Sequence, residues 1–255
     1  MAMGSASTRR TRVTRNTGAS GDRPSRPARG HAAEVFPSRY VHIGGEECPT
    51  TQWETSPAAR RRAASLGFTD AAQLHGWFLG QMQDTLAEHG RRAICWDEAE
   101  QNGALPADMT LTAWRDPAHG MSSVSRGHQV IMAPYRSTYL DYAQSDRPDE
   151  PAGQPDVVTT LEDVYRFDPL AGDLPVADPL DGRRPGVLGT QAQLWTEFAP
   201  TPDHVRYLAF PRLCALAEAA WSEGPRDHGE FRDRLAAHLE RLRVLGALAS
   251  RGAAV

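Results

Sequence analysis

The chain has 255 residues, 40% hydrophobic and 24% charged, enough to bury one sizeable core and too apolar for wholesale disorder or a fibrous repeat. Lysine is absent, so all 28 basic residues are arginine; against 32 acidic residues they leave a net charge of −4, which excludes a dedicated nucleic-acid binder. The charge is unevenly spread, because residues 1–30 carry seven arginines against the single acid Asp22, a balance of +6, and the other 225 residues carry −10.

In chain order, residues 1–35 are rich in Ser, Thr, Gly and Pro and nearly free of large apolar side chains. Burial cannot offset the entropy of ordering such a segment, so it reads as a disordered, Arg-rich N-terminal tail. No apolar stretch of the roughly 7–15 residues that a secretory signal needs occurs before Pro37, which predicts a cytoplasmic chain that spans no membrane. Residues 36–255 form one predicted domain. Short apolar runs alternate there with segments of helical period, the pattern of a parallel α/β protein. Strands are predicted at Tyr40–Gly44, Arg92–Trp96, Met109–Trp114, Gln129–Ala133 and Val187–Trp195.

The first two strands flank a helix over Asp70–His89, in which Leu74, Trp77, Phe78, Met82 and Leu86 recur at three- and four-residue steps before Gly90 ends it. Further helices are predicted near Ala118–Arg126, Asp203–Trp221 and Asp227–Ala249, with Pro202 at a tolerated first-turn position. Pro148–Pro185 holds seven of the nineteen prolines, so it reads as a long irregular excursion with one helical turn near Thr160–Tyr165. Three scattered cysteines, Cys48, Cys95 and Cys214, have no metal-binding or redox spacing and read as reduced thiols.

Polar and aromatic residues cluster at strand ends. His42, Glu46 and Glu47 follow the first strand, Trp96, Asp97 and Glu98 end the second, and Trp114 and Arg115 end the third. Tyr135, Tyr139 and Asp141 follow the fourth, and Trp195 and Glu197 end the fifth. In a parallel barrel such ends converge on one mouth. Adjacent carboxylates at Glu46–Glu47, after glycines that leave room for a ligand, are suited to holding one acid protonated, as cleavage of a glycosidic bond requires. Trp96 and Trp195 suit an aromatic wall for a sugar, whereas Trp77 and Trp221 lie on helical faces and read as core. A lesser reading gives Glu46, Glu47, Asp97 and Glu98 to a divalent cation.

His42-Ile43-Gly44-Gly45-Glu46-Glu47 resembles the His-x-Gly-Gly-Asp-Glu signature of family 20 glycoside hydrolases, the β-N-acetylhexosaminidases. The segments around Trp96, Trp114, Tyr139-Leu140-Asp141 and Trp195-Thr196-Glu197, and Phe210-Pro211-Arg212-Leu213 with Ala217-Glu218 and Trp221-Ser222, are similar to later family segments in the same order. The resemblance implies α/β architecture, a partial (β/α)8 TIM barrel comprising about its last five strands. It also implies retaining, substrate-assisted cleavage of terminal non-reducing N-acetylglucosamine or N-acetylgalactosamine from an oligosaccharide or glycoconjugate, with no cofactor and no metal.

By that resemblance Glu47 is the acid/base, Glu46 orients and polarises the 2-acetamido group, and Tyr139 donates to its oxygen. Trp96, Trp114 and Trp195 wall the pocket, Glu197 binds sugar hydroxyls, Asp141 lies nearby, and His42 belongs to the substrate site. The family has aspartate where this chain has Glu46, and one extra methylene predicts impaired catalysis. Five strands cannot close an eight-stranded barrel, so two bare sheet edges and self-association through them are expected. The competing reading is an inactive fragment that binds sugar weakly or associates with a partner chain.

Overall fold

The computed structural model describes residues 35–170, 172–179 and 184–249; the arginine-rich tail read from residues 1–35 falls almost wholly outside them. The elements below belong to one unit, Ser38–Val255. In chain order they are β1 (Tyr40–His42), α1 (Thr51–Thr55), α2 (Pro57–Ser65), a 3-10 turn (Ala71–Gln73) leading into α3 (Leu74–Ala87), β2 (Arg92–Trp96), β3 (Thr110–Ala113), α4 (Pro117–Ser125) and β4 (Gln129–Met132). There follow α5 (Tyr135–Thr138), β5 (Tyr142–Ala143), β6 (Gln154–Val158), α6 (Leu161–Arg166), β7 (Gly186–Thr190), α7 (Pro202–Ala209), α8 (Arg212–Trp221) and α9 (His228–Val244).

Five parallel strands form one sheet in the order β1-β2-β3-β4-β7, and β5 pairs with β6 in a separate two-stranded sheet. The five are the five predicted strands. Their alternation sorts side chains onto two faces. Ala93, Cys95 and Leu111 pack with Leu79 and Leu86 of α3, and Val41 and Ile43 join them from the first strand and its end. Ala113, Val130, Met132 and Val187 pack with Val124 of α4, Leu216 of α8 and Leu235 of α9. The opposite face carries Trp96, Thr110, Thr112, Gln129 and Ile131, all buried.

Helix starts follow local chemistry. The Asp70 side chain accepts from Ala72 N at 2.8 Å while Gln73 Oε1 accepts from Asp70 N at 3.1 Å, a capping box that opens the turn into α3. Asp116 accepts from Ala118 N at 2.8 Å, Thr201 from His204 N at 3.1 Å and Asp227 from Glu230 N at 2.9 Å, starting α4, α7 and α9.

Three expectations are corrected. The continuous helix over Asp203–Trp221 is two helices, because Pro211 lacks an N–H and its ring forces Phe210 to an extended ψ of 140°. Helices α1 and α2 were not predicted; only Ala63 is buried between them, so no apolar stripe marks them. The proline-rich excursion is less irregular than expected, since it carries β6, which pairs with β5 just before it; the helical turn expected near Thr160–Tyr165 is present as α6, opened by a capping box between Thr160 and Asp163.

The excursion also covers one of the two edges expected to be bare. Val187 pairs with Val130 on one side and forms a parallel bridge with Val176 on the other, with Ala177 N donating to Val187 O at 2.9 Å and Val187 N to Pro175 O at 2.8 Å. The same strap reaches Tyr40, whose hydroxyl donates to Pro179 O at 3.2 Å, and Arg39, whose guanidinium donates there at 3.1 Å. Among the described residues no helix is long and apolar enough to cross a membrane.

Candidate active site

The chain turns sharply after β1. Gly44 and Gly45 take φ of +76° and +101°, and Glu47 follows at +48°, a left-handed conformation that a side-chain-bearing residue adopts only when its surroundings hold it. A Cβ at Gly45 would lie 2.9 Å from Leu79 Cδ1, so the second glycine also permits close packing on α3. Gly44 O accepts from Trp96 N at 3.0 Å, tying the turn to the end of β2, and Gly44 N donates to His42 Nδ1 at 3.2 Å. The His42 ring lies 4.8 Å from that of Trp96, and its Nε2 is 3.5 Å from Thr112 Oγ1. Desolvation by the protein around this imidazole lowers its pKa, a pull tempered by solvent because the residue is still exposed along β1.

Glu46 and Glu47 are both exposed at this turn. Partial burial raises the Glu46 pKa, its own backbone N–H opposes the shift, and the neighbouring Glu47 and Glu98 carboxylates raise it further. Three carboxylates at one strand mouth create a negative field that favours a positive charge developing on a ligand.

Glu98, placed by the sequence at the end of the second strand but given no role there beyond a lesser reading as a cation ligand, connects the parts. Its Oε2 accepts from Glu47 N at 2.7 Å and its Oε1 from Trp114 Nε1 at 3.1 Å. Asp97, the adjacent acid, is buried and turned elsewhere, accepting from Arg115 Nη2 at 3.1 Å. The four-acid cation site therefore does not assemble, and among the described residues no group of three or more candidate ligands is placed to hold a metal.

From Trp114 the arc continues to Tyr139, whose ring is 6.2 Å away, and to Tyr135 at 6.3 Å. The ends of β4 and β7 are drawn together beyond the strands, with Leu140 N donating to Gln193 O at 2.7 Å and Gln193 N to Thr138 O at 3.0 Å. That pairing sets Tyr139 and Asp141 beside Trp195 and Glu197. Burial raises the Tyr139 pKa, with the Trp195 side chain beside its hydroxyl opposing. Asp141 is buried and has its pKa pushed up to about 6, first by burial and then by the Glu197 carboxylate, with its own backbone N–H, Arg212 and the Trp195 backbone opposing. Its Oδ1 has no hydrogen-bond partner.

The nine residues singled out from the sequence thus lie along one arc from β1 to β7. Trp195 is 37% exposed and accessible to a ligand, whereas Trp96 is 6% exposed and backs the His42 ring. Trp221, expected in the core, is 85% exposed.

Residues 31–224 match the model of the glycosyl hydrolase family 20 catalytic domain. The chain belongs to glycosyl hydrolase family 20. The motif resemblance was therefore correct, and the five-stranded sheet is part of a family 20 TIM barrel. Among curated relatives in the family, a β-hexosaminidase of Porphyromonas gingivalis is 37% identical over 205 residues, covering 80% of this chain and 26% of the relative. A β-hexosaminidase of Vibrio furnissii is 37% identical over 185 residues, covering 72% and 30% respectively. The chain spans well under half the length of these relatives. A family 20 exo-β-N-acetylglucosaminidase from Vibrio harveyi, solved with N-acetylglucosamine, superposes with a TM-score of 0.76 at 34% identity, covering 88% of this chain and 35% of that one.

Proposed function

We propose that this chain is the catalytic region of a β-N-acetylhexosaminidase that removes terminal non-reducing N-acetylglucosamine or N-acetylgalactosamine by a retaining, substrate-assisted mechanism. The observation that carries the reading is the pair Glu46–Glu47 on a left-handed turn, facing an aromatic arc from Trp96 to Trp195. The carbonyl oxygen of the sugar's 2-acetamido group attacks the anomeric carbon while the Glu47 carboxyl gives its proton to the departing glycosidic oxygen. The resulting oxazoline carries positive charge, which the Glu46 carboxylate stabilises and orients. Water then adds at the anomeric carbon as Glu47 takes back a proton, which restores the acetamide and releases the sugar with its configuration retained.

Tyr139 donates to the acetamido oxygen, its hydroxyl lying beside the Trp195 side chain, and Trp114 and Trp195 flank the sugar. The Asp141 Oδ1 without a protein partner and the exposed Glu197 are suited to sugar hydroxyls. His42 orders the turn through Gly44 N and stacks on Trp96. The deciding experiment is hydrolysis of a chromogenic N-acetylglucosaminide by the full chain. Release of the chromophore is expected, falling at least about 10²-fold in Glu47→Gln; undiminished turnover in that variant would exclude the mechanism.

A second reading is an inactive barrel segment that binds the sugar weakly or joins a partner chain. It is favoured by the 26% and 30% coverage of the two relatives and by Glu46 standing where the family signature has aspartate. Sugar binding without turnover in the same assay would select it.

A further inference from the structure

We propose that Glu98 is a positioning residue: its single carboxylate holds the acid/base turn and the sugar-facing indole in register with each other. The inference deepens the hexosaminidase reading and rests on it for its catalytic consequence. Three observations carry it. The two carboxylate oxygens are used separately, Oε2 by the Glu47 backbone N–H at 2.7 Å and Oε1 by the Trp114 indole N–H at 3.1 Å. Glu47 has φ of +48°, a left-handed conformation that an L residue keeps only where other contacts impose it. Glu98 also lies at the start of a short 3-10 turn directly after β2, anchored through Trp96 N to Gly44 O, so its own backbone is fixed relative to the turn it braces.

An N–H donated to a carboxylate makes a bond about twice as strong as one to a neutral acceptor, and this one falls on the backbone of the residue that must deliver a proton. Displacing a reacting group by about 1 Å can cost on the order of 10²-fold in rate. Without Glu98 the Glu47 peptide loses its restraint and relaxes toward the ordinary φ region, swinging its side chain away from the pocket. The same loss frees the Trp114 indole, which lies 6.2 Å from Tyr139, so both sides of the site loosen together. Asp97 does not take over this role, because its carboxylate is buried elsewhere, with Oδ2 accepting from Arg115.

The test uses the full chain with Glu98→Gln, which preserves shape while its amide can accept only one of the two N–H groups, and Trp114→Phe, which removes only the indole arm. By amide and indole NMR, Glu98→Gln is expected to shift the Glu47 N–H and the Trp114 Nε1–H resonances together, whereas Trp114→Phe leaves the Glu47 N–H in place. In the hydrolysis assay, Glu98→Gln is expected to lower kcat about 30- to 100-fold with KM changed less than about threefold, at unaltered circular dichroism. A purely structural role would instead lower the melting temperature and leave kcat per folded molecule unchanged. If the parent chain shows no turnover but both resonances move together, the hexosaminidase reading fails and the positioning assignment stands. Resonances that do not move, or an unchanged kcat in an active parent, overturn the proposal.

Discussion

Asp141 shows what a buried carboxyl costs in stability. Its carboxyl is 1% exposed, and its pKa lies at about 6 against an ordinary 3.8, so folding favours the protonated form. That contribution is complete below about pH 4 and is lost as pH rises through about 6, amounting to on the order of 3 kcal/mol. Asp141→Asn is therefore expected to raise stability at pH 7 by about 1–3 kcal/mol and to flatten its dependence between pH 4 and 6. Urea unfolding at a series of pH values checks this, and an unchanged slope over that window would refute it. The nine candidate residues could be picked out from the sequence because strand ends and the family resemblance mark them. Glu98 was marked by its strand end, but its bracing contact was not legible, because one of its partners is a backbone N–H exposed by the left-handed φ of Glu47, which no side-chain pattern encodes.

At the scale of elements, the five parallel strands were legible from their apolar positions, such as Ala93, Ile94 and Cys95 in β2, even where β3 alternates buried threonines with Leu111 and Ala113. The helix read across Phe210–Pro211 was not, because the apolar period of α7 continues into α8 and only the proline marks the break. The joint is filled by Arg212, fully buried, whose Nη2 donates to Leu140 O and Leu208 O at 2.7 Å and whose Nη1 donates to Thr159 O at 2.8 Å. Burial lowers its pKa to about 10, so it remains charged at neutral pH. One side chain thus links α7, the end of β6 and the loop that carries Tyr139 and Asp141. Arg212→Met fills similar volume but strands three buried carbonyls at about 1–3 kcal/mol each before relaxation. A loss of at least about 3 kcal/mol is expected by urea unfolding, and a loss below about 1 kcal/mol would show that the joint is held by packing alone.

At the scale of the whole molecule, a partial barrel must cover a face that a closed barrel would hide. Residue types predict the open sheet but not the strap that covers it, because the contacts are made by backbone carbonyls in a proline-rich segment with no periodicity. Gln129 Nε2, at the start of β4, donates to Asp178 O at 3.2 Å and Arg184 O at 3.3 Å, while Tyr40 and Arg39 hold Pro179 O beside β1. The strap therefore spans from the central strands to the edge strand, and it covers β7 by pairing with Val187. On the outer side of β1, the Tyr40 N–H is already taken by Ser38 Oγ at 3.2 Å, so this edge is short and partly blunted. Gln129→Leu removes both strap bonds from a buried position and is expected to cost about 2–4 kcal/mol. With the strap loosened, β1 and the polar face behind it open to water, so the variant should also self-associate more than its parent. Light scattering across a concentration series is expected to show a mass rising above 27.9 kDa at lower concentration in the variant than in the parent. Equal masses together with equal unfolding midpoints would mean that the strap lies on the sheet without holding it closed.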